Sequence, residues 1–168
     1  MRGTKGRYAL LAAALVAFVP SSIAGSRDVN PLPLRYGERC ISCLRPITDR
    51  FTAAEIVAPS QKGAVAYKFR TIRCMLAFLE DARVIPQALY VADYRDGTWL
   101  DVNRAVFVRI DIDAATGQPH YGIGDSDFAA FGEWKAADQF AAARGVATMS
   151  WLAAVIEATT MPRHDQAR

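Results

Sequence analysis

Residues 51–92, FTAAEIVAPSQKGAVAYKFRTIRCMLAFLEDARVIPQALYVA, contain the pattern that decides the fold. Two runs with β-branched and aromatic residues flank a turn-forming stretch, which is typical of a β-hairpin. Thr71 is a good N-cap for the helix that follows, and a third apolar run comes after Pro86. The predicted order is strand, turn, strand, helix and strand, over residues 51–57, 59–63, 64–69, 72–81 and 88–92. This stretch therefore predicts a ββαβ unit.

The second half of the chain repeats this order. Gly145 supplies the stop signal for a helix with an apolar stripe, and a short strand follows it. The predicted strands are 105–111, 120–122 and 146–149, and the predicted helices are 133–144 and 151–158. The sequence thus predicts an α+β protein of two ββαβ-like lobes, about 40–98 and 99–158, with helices packed on small antiparallel sheets.

The first 24 residues are typical of a secretory signal peptide. Three cations precede the apolar run Tyr8–Val19, and Ser22-Ile23-Ala24 places small residues at the cleavage point. The run has twelve residues, whereas a membrane span needs about 20. We therefore expect cleavage after Ala24, no stable membrane span afterwards, and a periplasmic or secreted protein.

The mature chain carries no net charge. The formal charge of +3 comes from Arg2, Lys5 and Arg7, and the remaining 17 basic residues match 17 acidic ones. A neutral domain lacks the basic footprint that nucleic acids require, which excludes them as partners. Residues 25–39 are predicted to form an irregular arm, and residues 159–168 a polar tail.

The cysteines carry the most specific chemistry in the sequence. Cys40-Ile-Ser-Cys43 is a C-x-x-C motif that is able to bind a soft metal, exchange disulfides or be oxidised. A thioredoxin-type site would follow a buried strand, and LPLRYGER before Cys40 is not one. A zinc site needs four ligands, for which only Cys74 with His120 or His164 remain.

Copper(I) fits this donor set better, because it accepts thiolates and thioethers at low coordination number. Cys74 and Met75 each offer a third soft donor on the predicted helix. Neighbouring helical side chains diverge by about 100°, so only one of them faces the Cys40 loop. The alternative is that Cys74 and Met75 belong to the apolar core. The candidate metal ligands are therefore Cys40, Cys43, Cys74 and Met75.

Enzymatic chemistry finds no support in the sequence. It contains no Ser-His-Asp context or phosphate loop, and Gly122-Ile-Gly124 is too short for a dinucleotide motif. Asp93, Asp96 and Asp101 surround a turn and are predicted to be solvated. We therefore expect a protein that is not an enzyme.

The order of these segments resembles that of the NosL family, the accessory proteins of nitrous oxide reductase. The resemblance covers residues 38–155, and YVADYRDGTWLDVNRAVFV over 90–108 is its most specific part. It implies a periplasmic Cu(I)-binding metallochaperone with two ββαβ lobes, in which Cys40 and Cys43 bind the metal. It also implies a copper-enzyme client, such as a periplasmic reductase.

The chain departs from the family at three points. Leu44 and Arg45 replace the Gly-Met of the common C-x-x-C-G-M motif, Tyr121–Gly124 lacks the methionine of a P-M-G turn, and no lipidation cysteine lies at the cleavage point. Arg45 brings a cation that we expect to oppose Cu(I) binding. The alternative function is a non-catalytic periplasmic interaction or assembly module, with Cys40–Cys43 as a structural disulfide.

Overall fold

The computed structural model describes residues 29–82, 84–111 and 126–160, which form two antiparallel sheets and three helices. The predicted α+β fold is confirmed. In chain order the elements are β1 (Ala54–Ser60), β2 (Gly63–Phe69), α1 (Ile72–Asp81), β3 (Ala88–Ala92), β4 (Trp99–Asp101), β5 (Val106–Asp111), β6 (Ser126–Phe131), α2 (Trp134–Ala142), β7 (Thr148–Met149) and α3 (Trp151–Thr160).

The first sheet has the strand order β2-β1-β3-β4. Ala54 of β1 pairs with Phe69 on one side and Val91 on the other, and all three side chains are buried. They share the face that packs beneath α1, where Phe78 contacts the ring of Phe69 at a centroid distance of 5.2 Å. Because side chains alternate along a strand, Glu55 and its partner Lys68 lie on the opposite face.

The N-terminal arm covers that opposite face. The amide of Leu32 donates to Glu55 Oε1 at 3.0 Å, and Lys68 Nζ donates to the Leu32 carbonyl and pairs with the Glu55 carboxylate. Tyr90 donates its hydroxyl proton to the carbonyl of Val29. The predicted irregular arm is thus held at Val29 by the Tyr90 hydroxyl and at Leu32 by a buried ion pair.

The second sheet has the order β6-β5-β7, so β5, β6, α2 and β7 form the expected second ββαβ unit. Phe140 of α2 packs between Tyr94 and Phe131, with ring centroids 5.2 and 5.0 Å away. Strands β4 and β6 were not among the predicted elements, and the predicted strand at 120–122 lies outside the described residues.

One core joins the two sheets. Phe69 and Met75 from the first unit lie in the same buried cluster as Phe107, Phe128 and Ala154 from the second. The Tyr94 amide also donates to the Ala130 carbonyl at 2.7 Å. The two lobes therefore pack as one body.

Asp93 corrects one prediction, because it is buried rather than solvated. It is 2% exposed, and its carboxylate accepts hydrogen bonds from the Gly132 amide at 2.9 Å and from Arg95. Burial raises its pKa, but these hydrogen bonds outweigh that effect, so the pKa lies below its usual value. Asp93 is a structural link between the β3–β4 turn and the end of β6.

Candidate metal centre

The C-x-x-C motif forms a narrow loop between two paired residues. Arg39 and Pro46 make an antiparallel bridge, the Cys40 amide donates to the Arg45 carbonyl at 2.9 Å, and the Leu44 amide donates to the Cys40 carbonyl at 2.9 Å. We call residues 39–46 the cysteine loop. These hydrogen bonds fix the backbone of the loop.

The cysteine loop is attached to the first sheet where β2 ends. The Ile41 amide donates to the Lys68 carbonyl at 3.0 Å, and just beyond the loop the Ile47 amide donates to the Glu38 carbonyl at 2.9 Å. The chain leaves β2 at this point and enters α1 two residues later. The sheet edge therefore brings the cysteine loop to the beginning of the helix that carries Cys74.

Cys74 lies in the first turn of α1, and two side chains hold that turn. Thr71 is the N-cap, and its hydroxyl accepts from the Cys74 amide at 3.2 Å, as the sequence predicted. Asp127 of β6 accepts from the Arg73 amide at 3.2 Å and from the Phe128 amide at 2.8 Å. A carboxyl from the second sheet thus occupies the helix N-terminus, where a negative charge is favoured.

The three sulfur atoms meet between the loop and the helix. The Sγ atoms of Cys40, Cys43 and Cys74 all lie within 4.8 Å of one another, and those of Cys43 and Cys74 are 3.8 Å apart. All three residues are free cysteines; Cys40 and Cys74 are fully buried, whereas Cys43 is partly exposed. The arrangement is a three-thiol cluster in which Cys43 is the cysteine with exposed surface.

The cluster separates the pKa values of its thiols. Hydrogen bonds from Cys43 and Cys74 lower the pKa of Cys40; burial opposes this effect, and the backbone amides of Arg70 and Cys43 support it. The pKa of Cys74 is raised, because it hydrogen-bonds to Cys40 and Cys43, is buried and lies beside the negative charge of Cys40. Cys40 is therefore the thiol of the two that loses its proton more readily.

The structure brings the sulfur of Cys74 into the cluster. Met75 is fully buried in the apolar core, to which Cys40 and Cys74 also belong. Cys74 satisfies both interpretations of the sequence, since it is a core residue and a member of the cluster. His120 and His164, considered as zinc ligands, lie outside the described residues.

Two features of the site had no counterpart in the sequence predictions. Asp127 was not singled out, because only the tertiary structure brings it to α1. Leu44 adopts a φ of 61°, a left-handed conformation that is uncommon for any residue other than glycine, and its side chain is 67% exposed.

Comparisons with known proteins assign no role to this site. No family model matches the chain, and neither curated proteins nor solved structures give a match. Within the described residues, none of the helices has the length and apolar character needed to cross a membrane.

Proposed function

We propose that this protein is an exported, non-enzymatic accessory protein that binds Cu(I) through Cys40, Cys43 and Cys74 and delivers it to a copper enzyme. One observation carries the proposal: three sulfur atoms lie within 4.8 Å of one another, two of them on a fixed loop and one on a capped helix turn. A periplasmic or secreted location follows from the signal-peptide pattern of residues 1–24.

The donor set favours Cu(I) over zinc. Cu(I) is soft and binds thiolates at low coordination number, whereas structural zinc is held by four ligands. Among the described residues, no fourth cysteine, histidine or carboxylate joins the three sulfurs. In our proposal, Met75 is a residue of the apolar core and not a ligand.

The charge of the loaded site also supports this proposal. Three thiolates around one univalent cation carry a net negative charge, which a nearby guanidinium stabilises. Arg39 donates to the Leu44 carbonyl at 3.0 Å, and Arg45 is an exposed member of the same loop. In our proposal, the cations of this loop therefore favour the loaded state whether two or three thiolates hold the ion.

The resemblance to the NosL family supports copper as the cargo and a reductase as a client. The missing motif methionine leaves the Cys40–Cys43 pair one soft donor short. In our proposal, Cys74 supplies that donor from α1.

The test is an anaerobic Cu(I) titration of the reduced mature protein against a chromophoric chelator. We expect one equivalent to bind, with at least about tenfold weaker binding by Cys74→Ser and a larger loss for Cys40→Ser/Cys43→Ser. Met75→Leu is the matched control, because it changes the neighbouring sulfur residue and keeps its volume. Equal competition by the wild type and the double variant would overturn the proposal.

The same protein tests the assembly-module alternative. In that function Cys40–Cys43 is a disulfide, and mass spectrometry of protein taken directly from the periplasm would find it complete. We expect free thiols or bound copper instead, because all three cysteines are unpaired in the structure.

A further inference from the structure

We propose that the cysteine loop is the docking face for an acceptor protein whose metal site is surrounded by acidic residues, and that the cargo leaves past Cys43. This inference rests on the proposed function and names the class of partner. It is carried by the exposure, backbone conformation and charge of residues 39–46.

Exposure decides where an acceptor can reach the cluster. Cys40 and Cys74 have no solvent-exposed surface, whereas Cys43 is partly exposed. Its loop neighbours Ile41 and Leu44 are 45% and 67% exposed. Cys43, the cysteine with exposed surface, is thus flanked in the loop by exposed apolar residues.

The backbone at Leu44 shows that the fold alone does not explain this residue. A φ of 61° is less favourable for a residue with a Cβ than it is for glycine. The leucine side chain at this position buries little surface, so packing within the chain offsets little of that cost. Strained residues of this kind concentrate at functional sites. A partner that docks on this loop would bury the exposed side chain of Leu44.

Charge identifies the chemistry of the partner. The cysteine loop, RCISCLRP, contains Arg39 and Arg45 and no acidic residue, although acidic and basic residues balance over the mature chain. The guanidinium of Arg39 is held against the loop by the Leu44 carbonyl. A local cationic surface attracts an acidic one and raises the rate of encounter.

The transfer step is a ligand exchange without a change in oxidation state. A thiolate, thioether or imidazole donor of the acceptor forms a bond to Cu(I) as the bond to Cys43 Sγ breaks. Cys40 and Cys74 hold the ion until further acceptor donors replace them. The copper remains univalent throughout, and the released thiolates take up protons from solvent.

The test measures Cu(I) transfer to two synthetic peptides by stopped-flow. Both contain the same three-methionine binding segment, flanked by four glutamates in one and four lysines in the other. At low salt we expect the loaded wild type to transfer about tenfold faster to the glutamate peptide, with the difference shrinking as salt is added. The ratio of the two rates cancels any change in copper affinity.

Three variants assign the preference to this face. Arg45→Glu should abolish or invert the ratio, and Arg45→Lys should keep it. Lys62→Glu is the matched control, because Lys62 is exposed at the β1–β2 turn, at the other end of β2 from the loop. Equal wild-type rates for both peptides, or an equal effect of Lys62→Glu, would overturn the docking face while leaving the metal site intact. Absence of Cu(I) binding in the competition titration would remove both proposals.

Discussion

The sulfur atoms of Cys43 and Cys74 lie 3.8 Å apart, although 31 positions separate the two residues in the chain. One belongs to a loop attached to the edge of the first sheet, and the other to the first turn of the helix that covers this sheet. Because Cys74 lies this close to Cys43, the C-x-x-C motif becomes part of a three-thiol cluster.

Access should determine which thiol reacts first. With limiting iodoacetamide at pH 7, we expect Cys43 to be alkylated before Cys40 and Cys74, because those two are fully buried. Peptide mass spectrometry of the reduced protein measures the order. Unfolding in guanidinium is the control, since all three should then react at similar rates. First labelling of Cys40 or Cys74 in the folded protein would contradict the arrangement.

Asp127 should make stability depend on pH. Burial raises its pKa from 3.8 to about 6, although hydrogen bonds from Thr71 and from backbone amides oppose the shift. A raised carboxyl pKa stabilises the fold below about pH 4, and this contribution is lost as the pH rises through 6. The free energy of unfolding should therefore fall by about 2 kcal/mol between pH 4 and 7.

Asp127→Asn should remove that fall, because the amide oxygen still accepts the same amide protons and does not titrate. Urea denaturation at several pH values measures the effect. Asp93→Asn is the matched control: the pKa of Asp93 is shifted downward, so its contribution is lost only below its ordinary range. Persistence of the pH 4–7 slope in Asp127→Asn would exclude this carboxyl as its source.

The Glu55–Lys68 pair should show strong coupling. Glu55 is fully buried and Lys68 nearly so, and the pair also binds the backbone of Leu32. Lys68→Met leaves a buried carboxylate without its cation and should cost about 3 kcal/mol or more. Glu55→Gln/Lys68→Met should cost less than the sum of the two single changes, as a urea double-mutant cycle would show. Additive costs would mean that the pair contributes no coupling energy.

Leu44 offers a test of backbone strain. Leu44→Gly should leave the free energy of unfolding unchanged or raise it by up to about 1 kcal/mol, because glycine accepts a φ of 61° freely. Leu44→Val should lower it, since a β-branched residue fits this conformation less well than leucine. Thermal denaturation of the three proteins gives the order. Greater stability of the valine variant would contradict the left-handed assignment.

Local sequence signals were sufficient for the elements they control. Helix α1 runs from Ile72 to Asp81 with Thr71 as its cap, as expected, because cap chemistry and helical spacing act within a few residues. Strand β3 also has its predicted bounds, 88–92. Helix α2 is one residue shorter at its start and two residues shorter at its end than predicted, and α3 is two residues longer at its end. Helix ends fray, so local signals define them less sharply than the helix interior.

Features that depend on contacts between residues far apart in the chain could not be predicted from local sequence signals. Strand β6, with the sequence SDFAAF, has little β-branched character and is defined by its pairing with β5. The short strand β4 is defined by its pairing with β3. Asp93 was misassigned because a turn carboxylate is normally solvated, and only the approach of Gly132 buries it. The membership of Cys74 in the cluster likewise required the position of α1 relative to the loop.

The carboxyl that Asp127 places at the start of α1 makes the sulfur site depend on the second half of the chain. A gene fragment covering residues 40–98 would encode every thiol of the centre, yet it would lack the acceptor that holds the helix beneath Cys74 and the aromatic rings of Phe107 and Phe128. The half of the chain that carries the cysteines therefore depends on the other half for its packing. We therefore expect residues 40–98 alone to hold the three thiols less firmly than the whole chain does.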